Sequence, residues 1–234
     1  MNLRKQITSI IIVMLPFFTN GQNLYNQKKE HGFNGKVKKV ISYMVHVSKY
    51  RIPVDTLDYF GKSTINFNEK GDVTIYKRMY DLPNHQFKSS AIYSGTGKNI
   101  SYKETSELNN EPPKVIDYKF VWTDALNYKI ESTSETADLR FITLNTDFTI
   151  DKVVFKIDGY QSEEKVFYHY NNENKLEKIV YKVTSTENDS TTVKDDVRII
   201  QSVDVFNNAT VIYFYEKESA RVPKSVLFRY YEYY

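Results

Sequence analysis

The side chains that most often hold metals or attack substrates are scarce in this chain and badly spaced. It has four histidines (His31, His46, His85 and His169) and no cysteine. No two histidines stand two or four residues apart, so neither a strand nor a helix would present a pair to a zinc ion. Without cysteine there is no disulfide, no thiolate metal site and no thiol nucleophile. We therefore predict no metal site and no cofactor.

Carboxylates and serines are present, but not in catalytic patterns. Asp55 and Asp58 are an odd number of residues apart, so one strand face cannot carry both. Glu163 and Glu164 are adjacent, where charges oppose edge pairing of a strand. The segment SGTGK at Ser94 is shorter than a phosphate-binding loop, and no G-x-S-x-G elbow occurs. We predict no catalytic residues and no enzymatic activity.

Aromatic residues are the outlier of the composition, with 20 Tyr and 14 Phe against 8 Gly. The last strands are richest in them, and we single out Tyr213, Tyr215, Tyr230, Tyr231 and Tyr233 as a candidate binding surface. Three interpretations stay open: ordinary sheet packing, a platform that stacks on sugar rings, and the aromatic girdle of a membrane barrel. The glutamate between the last two of these tyrosines interrupts the apolar alternation that a membrane barrel needs.

The N-terminus has the layout of a secretory signal peptide. Arg4 and Lys5 precede the apolar run Ile7–Phe18, which is too short to span a bilayer, and Thr19–Gly21 offers small or polar residues for cleavage. Removing residues 1–21 takes away two positive charges and no negative ones, so the net charge falls from +3 to +1. The mature chain then has no general attraction for nucleic acid or anionic membrane, and no integral membrane span.

Alternation of apolar and polar residues predicts strands along the mature chain. It is clear in KVKKVISYMVHV (from Lys36) and in KVFYHYNNENKLEKIVYKV (from Lys165), where two alternating runs flank an Asn-rich turn. Helix signals are short and weak, the best being Leu24–Glu30 and Glu131–Leu139. The Pro-rich segment NNEPPKV (from Asn109) predicts a long connection.

One short phrase recurs along the chain: FNEKGDV at Phe67 and YNNENKL at Tyr170, with four looser copies between and after them. Each copy runs from an anchor residue to a turn position four residues later, and neighbouring anchors are 22 to 35 residues apart. Such a period predicts repeated hairpins. The anchors are Phe67, Tyr93, Trp122, Leu144, Tyr170 and Val205, and the turn positions are Gly71, Gly97, Leu126, Phe148, Asn174 and Ala209.

The phrase resembles the YD repeats of rearrangement-hotspot (RHS-like) proteins, in which an aromatic–Asp pair leads through two polar residues to Gly and then to an aliphatic residue. The first copy has Phe67 and Asn68 at the pair and keeps Gly71, whereas the fifth keeps Tyr170 and has Asn at both other positions. The resemblance implies consecutive antiparallel hairpins in a curved sheet. It also implies a non-catalytic module, because chemistry in that class resides in attached domains.

These observations predict an all-β protein, an antiparallel meander of consecutive β-hairpins forming a curved sheet, a sandwich or a partly open barrel. Residues 1–21 are the predicted signal peptide, residues 22–34 a polar lead and residues 35–234 a single hairpin-repeat domain. We expect an exported protein, periplasmic, cell-surface or extracellular, with a structural or binding role in the cell envelope and an envelope protein or glycan as partner. The alternatives are a carbohydrate-binding module and a small outer-membrane β-barrel.

Overall fold

The computed structural model describes residues 24–49, 51–132, 138–188 and 190–234. They form one short helix, α1 (Gln27–Glu30), and fourteen strands. The strands are β1 (Val37–His46), β2 (Tyr59–Phe67), β3 (Val73–Leu82), β4 (His85–Thr96), β5 (Asn99–Leu108), β6 (Lys114–Trp122), β7 (Asn127–Ser132), β8 (Leu139–Leu144), β9 (Ile150–Ile157), β10 (Tyr160–Tyr170), β11 (Leu176–Glu187), β12 (Ser190–Val203), β13 (Ala209–Tyr215) and β14 (Ser225–Tyr233).

The strands form a closed antiparallel barrel. Each strand pairs with the next along the chain, and β14 returns to pair with β1, so that Val40 lies opposite Tyr231 and Met44 opposite Leu227. Closure leaves the ring without an unpaired edge. The predicted all-β antiparallel meander is confirmed, and Pro112 and Pro113 lie in the connection between β5 and β6, as expected.

The six repeated phrases lie on alternate hairpin turns. They join β2 to β3, β4 to β5, β6 to β7, β8 to β9, β10 to β11 and β12 to β13, which in an up-and-down barrel all lie at one end. The period of the phrase is therefore the length of two strands with their two turns. The start of β1 and the end of β14 lie at the same end.

The two clearest copies build the same turn. The Asn68 side-chain oxygen accepts hydrogen bonds from the backbone N–H groups of Lys70 and Asp72, both at 3.0 Å, and Gly71 is left-handed with φ +86°. Asn171 makes the equivalent bonds at 2.9 Å in the fifth copy, where Asn174 has φ +59°. An Asx-capped turn ending in a left-handed residue explains why Asn and Gly recur at this spacing.

The sixth copy corrects the predicted alignment by two residues. The left-handed residue is Asn207, with φ +62°, not the expected Ala209. Asp204 provides the capping oxygen, accepting from Phe206 N and Asn208 N at 2.9 Å. The anchor is thus Val203 instead of Val205, because the sequence match rewarded an aliphatic residue while the turn depends on the Asx oxygen.

Strand alternation places large apolar and aromatic side chains on the inner face, whereas the outer face carries both charged residues and apolar ones such as Val226 and Phe228. On the inner face, Val40, Ile65 and Tyr76 lie side by side across β1, β2 and β3. Tyr102 and Tyr118 pair in the same way across β5 and β6, with ring centroids 4.7 Å apart. Stacked rings fill a wide barrel efficiently because each contributes a large apolar area.

Residues 24–34, which we call the plug, fill the barrel end that carries the six turns. Tyr25 and Phe33 are buried there, and Asn26 caps α1 by accepting from Lys29 N. The Gln27 side chain accepts from Val73 N at 2.9 Å, and Asn34 N donates to the Asn208 side chain at 2.7 Å. The segment that the sequence separates as a polar lead thus packs inside the domain that follows it.

The helix expectations have different outcomes. The Leu24–Glu30 signal corresponds to α1, although the helix occupies only its last four residues. The Glu131–Leu139 signal is wrong at both ends, since Glu131 belongs to β7 and Leu139 begins β8. Its centre and the predicted signal peptide, residues 1–21, lie outside the described residues, so the signal peptide stays a prediction.

Candidate functional site

Four arginines project from strands into the barrel: Arg78, Arg140, Arg198 and Arg229. Each guanidinium lies over at least one aromatic ring, at centroid distances from 3.7 to 5.7 Å. Arginine suits this position because its planar, weakly hydrated guanidinium stacks on rings and tolerates partial burial better than the ammonium of lysine.

Three of the four inner arginines have a carboxylate partner. Arg78 pairs with Glu104 at 2.5 Å, and the Glu104 side chain is only 10% exposed. Arg140 pairs with Asp138 at 2.6 Å, and Arg198 pairs with Asp196 at 3.4 Å. These ion pairs neutralise three of the four inner positive charges.

Arg229 has no carboxylate within ion-pair distance among the described residues. Its guanidinium lies 5.4 Å from the centroid of the Phe33 ring of the plug. Its Nε is buried and has no hydrogen-bond partner. A partly buried guanidinium without a counter-charge is costly, which makes Arg229 the most unusual charged group inside the barrel.

Arg229 borders a cavity of about 200 Å³ between the plug and the wall formed by β9 to β14. Eight aliphatic and nine polar residues line the cavity, together with Gly32 and Phe33. The aliphatic side chains are Ile150, Val166, Leu176, Ile179, Ile200, Val203, Ala209 and Ile212. The polar side chains are Glu30, His31, Glu164, Tyr168, Tyr181, Arg198, Asn207, Arg229 and Tyr231.

Glu164 and Arg229 line the cavity, and neither has an ion-pair partner among the described residues. Burial raises the pKa of the Glu164 carboxyl, an effect that Arg198 opposes, so Glu164 shifts toward its neutral form. The charge of Arg229 is not balanced by a paired carboxylate within the part of the chain that the structure describes.

Glu30 is engaged elsewhere and does not neutralise Arg229. Its carboxylate accepts hydrogen bonds from the Tyr25 hydroxyl at 2.6 Å and the Tyr128 hydroxyl at 2.7 Å. Burial raises the pKa of Glu30, while these two hydrogen bonds oppose the rise. The three side chains fasten the plug to β7.

A second, more open space of about 400 Å³ lies between the plug and the turns after β8 and β10. It shares Gly32, Tyr168 and Leu176 with the inner cavity, and Asn207 also lines both. The two spaces are therefore neighbours at the plug end of the barrel.

The predicted aromatic surface is divided between the two faces of the barrel. Tyr213, Tyr215 and Tyr230 have outward register positions, and Tyr230 is 53% exposed. Tyr231 points inward and donates to Ala209 O at 2.9 Å, and Tyr233 points inward and hydrogen-bonds Asp204. The five tyrosines therefore do not share one surface, and binding by the outer three stays a prediction.

The outer face carries ion pairs between neighbouring strands. Lys103 lies 3.7 Å from Asp117 across β5 and β6, and Lys119 lies 3.4 Å from Glu131 across β6 and β7. Along β10, Lys165 lies 3.4 Å from Glu163. These charges stand near the middle of their strands, where a wall facing lipid would carry apolar residues.

Sequence reasoning missed the inner site, although a signal was present. Arg229 shares its strand parity with Tyr231 and Leu227, so a buried face for those residues implied a buried guanidinium. Glu164 was read as a charge opposing edge pairing, yet it lies mid-strand and faces the cavity. Among the described residues no cluster of three potential metal ligands occurs. Within the same residues, no helix has the length and apolar character that crossing a membrane requires.

No protein-family model and no curated protein matches this chain. Among solved structures, it is similar to a porin-like protein from Bacteroides uniformis, at 7% sequence identity and a TM-score of 0.33. The match covers 86% of this chain and 98% of that one. A similarity this distant carries no argument about function.

Proposed function

We propose that the protein is an exported, non-catalytic binding barrel of the cell envelope, with water outside the wall and a small ligand inside it. The observation that carries this proposal is the cavity of about 200 Å³ at Arg229, between the plug and the wall. Protein interiors are normally packed without voids of this size. An apolar cavity with a few convergent polar groups is the usual form of a small-molecule site.

Charged residues on the outer face support the proposal that water surrounds the wall. A lysine on the lipid face costs about 2–4 kcal/mol at the bilayer midplane. Lys103, Lys119 and Lys165 all face outward near strand centres, and their ion-pair partners are outward-facing as well. In water these lysines carry no such free-energy penalty, and charged residues on the outer face oppose aggregation.

A small outer-membrane barrel is the second candidate, favoured by one observation. The barrel is closed, up-and-down and even-stranded, as outer-membrane barrels are. Expression with the natural leader, followed by fractionation, separates the two. Recovery in the detergent-free periplasmic or extracellular fraction supports the binding barrel, whereas recovery only from detergent-extracted outer membranes would overturn it.

The glycan alternative has weaker support from the outer tyrosines. A sugar platform needs coplanar exposed rings, but Tyr43 and Tyr230 meet at 80° and Tyr43 and Tyr59 at 70°. Edge-to-face rings pack against each other and present no flat surface.

Methyl NMR with isoleucine labelling tests whether the cavity is a binding site. A small-fragment screen should shift the inner methyl groups of Ile179, Ile200 and Ile212, which line the cavity. The outward-facing Ile41 and Ile92 are matched controls and should stay unshifted. A screen in which no fragment moves the inner methyls more than the outer ones would contradict the proposed function.

A further inference from the structure

We infer that the cavity binds a monocarboxylate with a short aliphatic body, its carboxylate paired with Arg229. This inference rests on the proposed function, because it takes the cavity as the ligand site. It adds the chemical class of the ligand and names the residue that recognises it.

The first argument comes from the pattern of ion pairs inside the barrel. Arg78, Arg140 and Arg198 show that this protein supplies a carboxylate to each other inward-facing strand arginine. Arg229 is the exception among the described residues, and its Nε donor is buried and unpartnered. A carboxylate from a ligand would complete the pattern, since guanidinium and carboxylate form two parallel hydrogen bonds.

The second argument is that Glu30 and Asp204, two of the protein's own carboxylates near the cavity, have other partners. Glu30 is held by the hydroxyls of Tyr25 and Tyr128, and Asp204 by Tyr233. Glu164 forms no ion pair with Arg229, and burial raises the pKa of its carboxyl, which favours the uncharged form.

Asp196 is also engaged, since it lies 3.4 Å from Arg198 and 3.6 Å from Lys224. Among the described residues none of these carboxylates forms an ion pair with Arg229. We therefore assign the missing counter-charge of Arg229 to the carboxylate of a ligand.

The third argument concerns the body of the ligand. A dry cavity of about 150 Å³ accommodates benzene, so about 200 Å³ accommodates roughly eight non-hydrogen atoms by the same proportion. Isoleucine, leucine and valine supply seven of the nineteen lining residues, so an alkyl chain would find apolar contacts along the wall. The open space beyond Gly32 allows the far end of a longer chain to reach toward solvent.

Isothermal titration of the purified protein with four probes tests this class of ligand. Sodium octanoate should bind with saturable one-to-one stoichiometry. Octan-1-ol, which lacks the charge, should bind about tenfold or more weakly, and acetate, which lacks the chain, should show no saturable binding. Octylammonium, which reverses the charge, should not bind.

Two arginine variants locate the carboxylate. Arg229→Gln should weaken octanoate binding by about tenfold to a hundredfold, the usual effect of losing a charge-assisted hydrogen-bonding partner. Arg221→Gln is the matched control, because Arg221 is exposed on the loop before β14. It should leave octanoate binding unchanged. Arg229→Lys, which keeps the charge, should retain more affinity than Arg229→Gln.

The outcomes separate this inference from the proposed function. If octan-1-ol binds as well as octanoate and shifts the inner isoleucine methyls, the cavity is a ligand site but the carboxylate is wrong. If octanoate binds and Arg229→Gln has no effect, the assignment to Arg229 is wrong. If no probe binds while screening fragments still occupy the cavity, the ligand class is wrong. Should Arg229→Gln fail to fold, the comparison of octanoate with octylammonium on the unaltered protein decides the charge preference.

Discussion

Replacing two inward-facing arginines by methionine should change the stability of the ligand-free barrel in different directions. Arg78 has the carboxylate of Glu104 at 2.5 Å and a hydrogen bond to Ser89, whereas Arg229 has no carboxylate partner among the described residues. Arg78 lies over the rings of Tyr76 and Phe87, and Arg229 lies over that of Phe33, so both variants lose cation–π contact. The presence of a carboxylate left behind is the main difference between them.

Arg78→Met should lower the free energy of unfolding by about 2–4 kcal/mol. Breaking a buried ion pair from one side costs about 3–5 kcal/mol, because the remaining charge stays buried without a partner. The Arg78 side chain is 30% exposed and that of Glu104 10%, so solvent reduces the cost to the lower part of that range.

Arg229→Met should be neutral or stabilising, by up to about 2 kcal/mol. The variant loses a cation–π contact with Phe33, about 0.5–2 kcal/mol. It also removes an unpaired, partly buried charge, whose penalty is several kcal/mol. Methionine fills a similar volume with a flexible apolar chain.

Urea denaturation of the two variants and the unaltered protein, followed by circular dichroism without ligand, measures both changes. The reasoning is refuted if Arg229→Met loses as much stability as Arg78→Met. That result would mean that the charge of Arg229 is already balanced within the protein, and the argument for an anionic ligand would be lost with it.

Three further predictions concern the turns and the plug. Asn68→Ala should cost about 1–3 kcal/mol in urea denaturation, because it removes the oxygen that caps two backbone N–H groups, whereas Glu69→Ala on the same exposed turn should change little. Tyr25→Ala should cost about 3–5 kcal/mol and shift Trp122 fluorescence to the red, since the two rings lie 4.7 Å apart in the buried plug. Because burial raises the pKa of Glu30, the stability of the unaltered protein relative to Glu30→Gln should be greatest below about pH 4 and decline as the pH rises through the raised pKa.

Each of these predictions has a result that contradicts it. Equal losses for Asn68→Ala and Glu69→Ala would show that the Asx oxygen does not hold the turn. Unchanged Trp122 emission in Tyr25→Ala would place the plug outside the barrel in solution. A stability difference between the unaltered protein and Glu30→Gln that stays flat or grows with pH would mean that the folded state does not favour the protonated Glu30.

Local features of this fold could be read from the sequence because they depend on neighbouring residues. The turn at Asn68 needs an Asx oxygen and a left-handed residue three positions later, and both are visible in the printed order. The same rule applied strictly would have aligned the sixth copy on Asp204 and Asn207. The sixth copy was misaligned because an aliphatic residue was favoured at the anchor position, and aliphatic residues occur in any strand.

The cavity could not be predicted because it depends on the whole circumference. Arg229 and Arg198 lie on the wall near the plug only because fourteen strands close into a ring of this width. The partners of Arg140 and Arg198 lie two residues earlier in the sequence, at the spacing of a single strand face. The partner of Arg78 is on another strand, so that pair depends on register, which alternation alone does not determine. One related pattern is present in the sequence. Arginine occurs at inward strand positions, as at Arg229, and lysine at outward positions near strand centres, as at Lys165.

The pairing of β1 with β14 has a consequence for the assembly of the barrel. Every other pair in the ring joins consecutive strands, whereas Val37 meets Tyr233 across 196 positions (233 − 37). Until β14 pairs, the sheet has two unpaired edge strands, and each can pair with a strand of another molecule. β14, which contains the fully buried Val226, pairs with both edge strands and so closes the barrel. We therefore expect a chain truncated before Ser225 to aggregate through the unpaired edges of an open sheet and not to close into a smaller barrel.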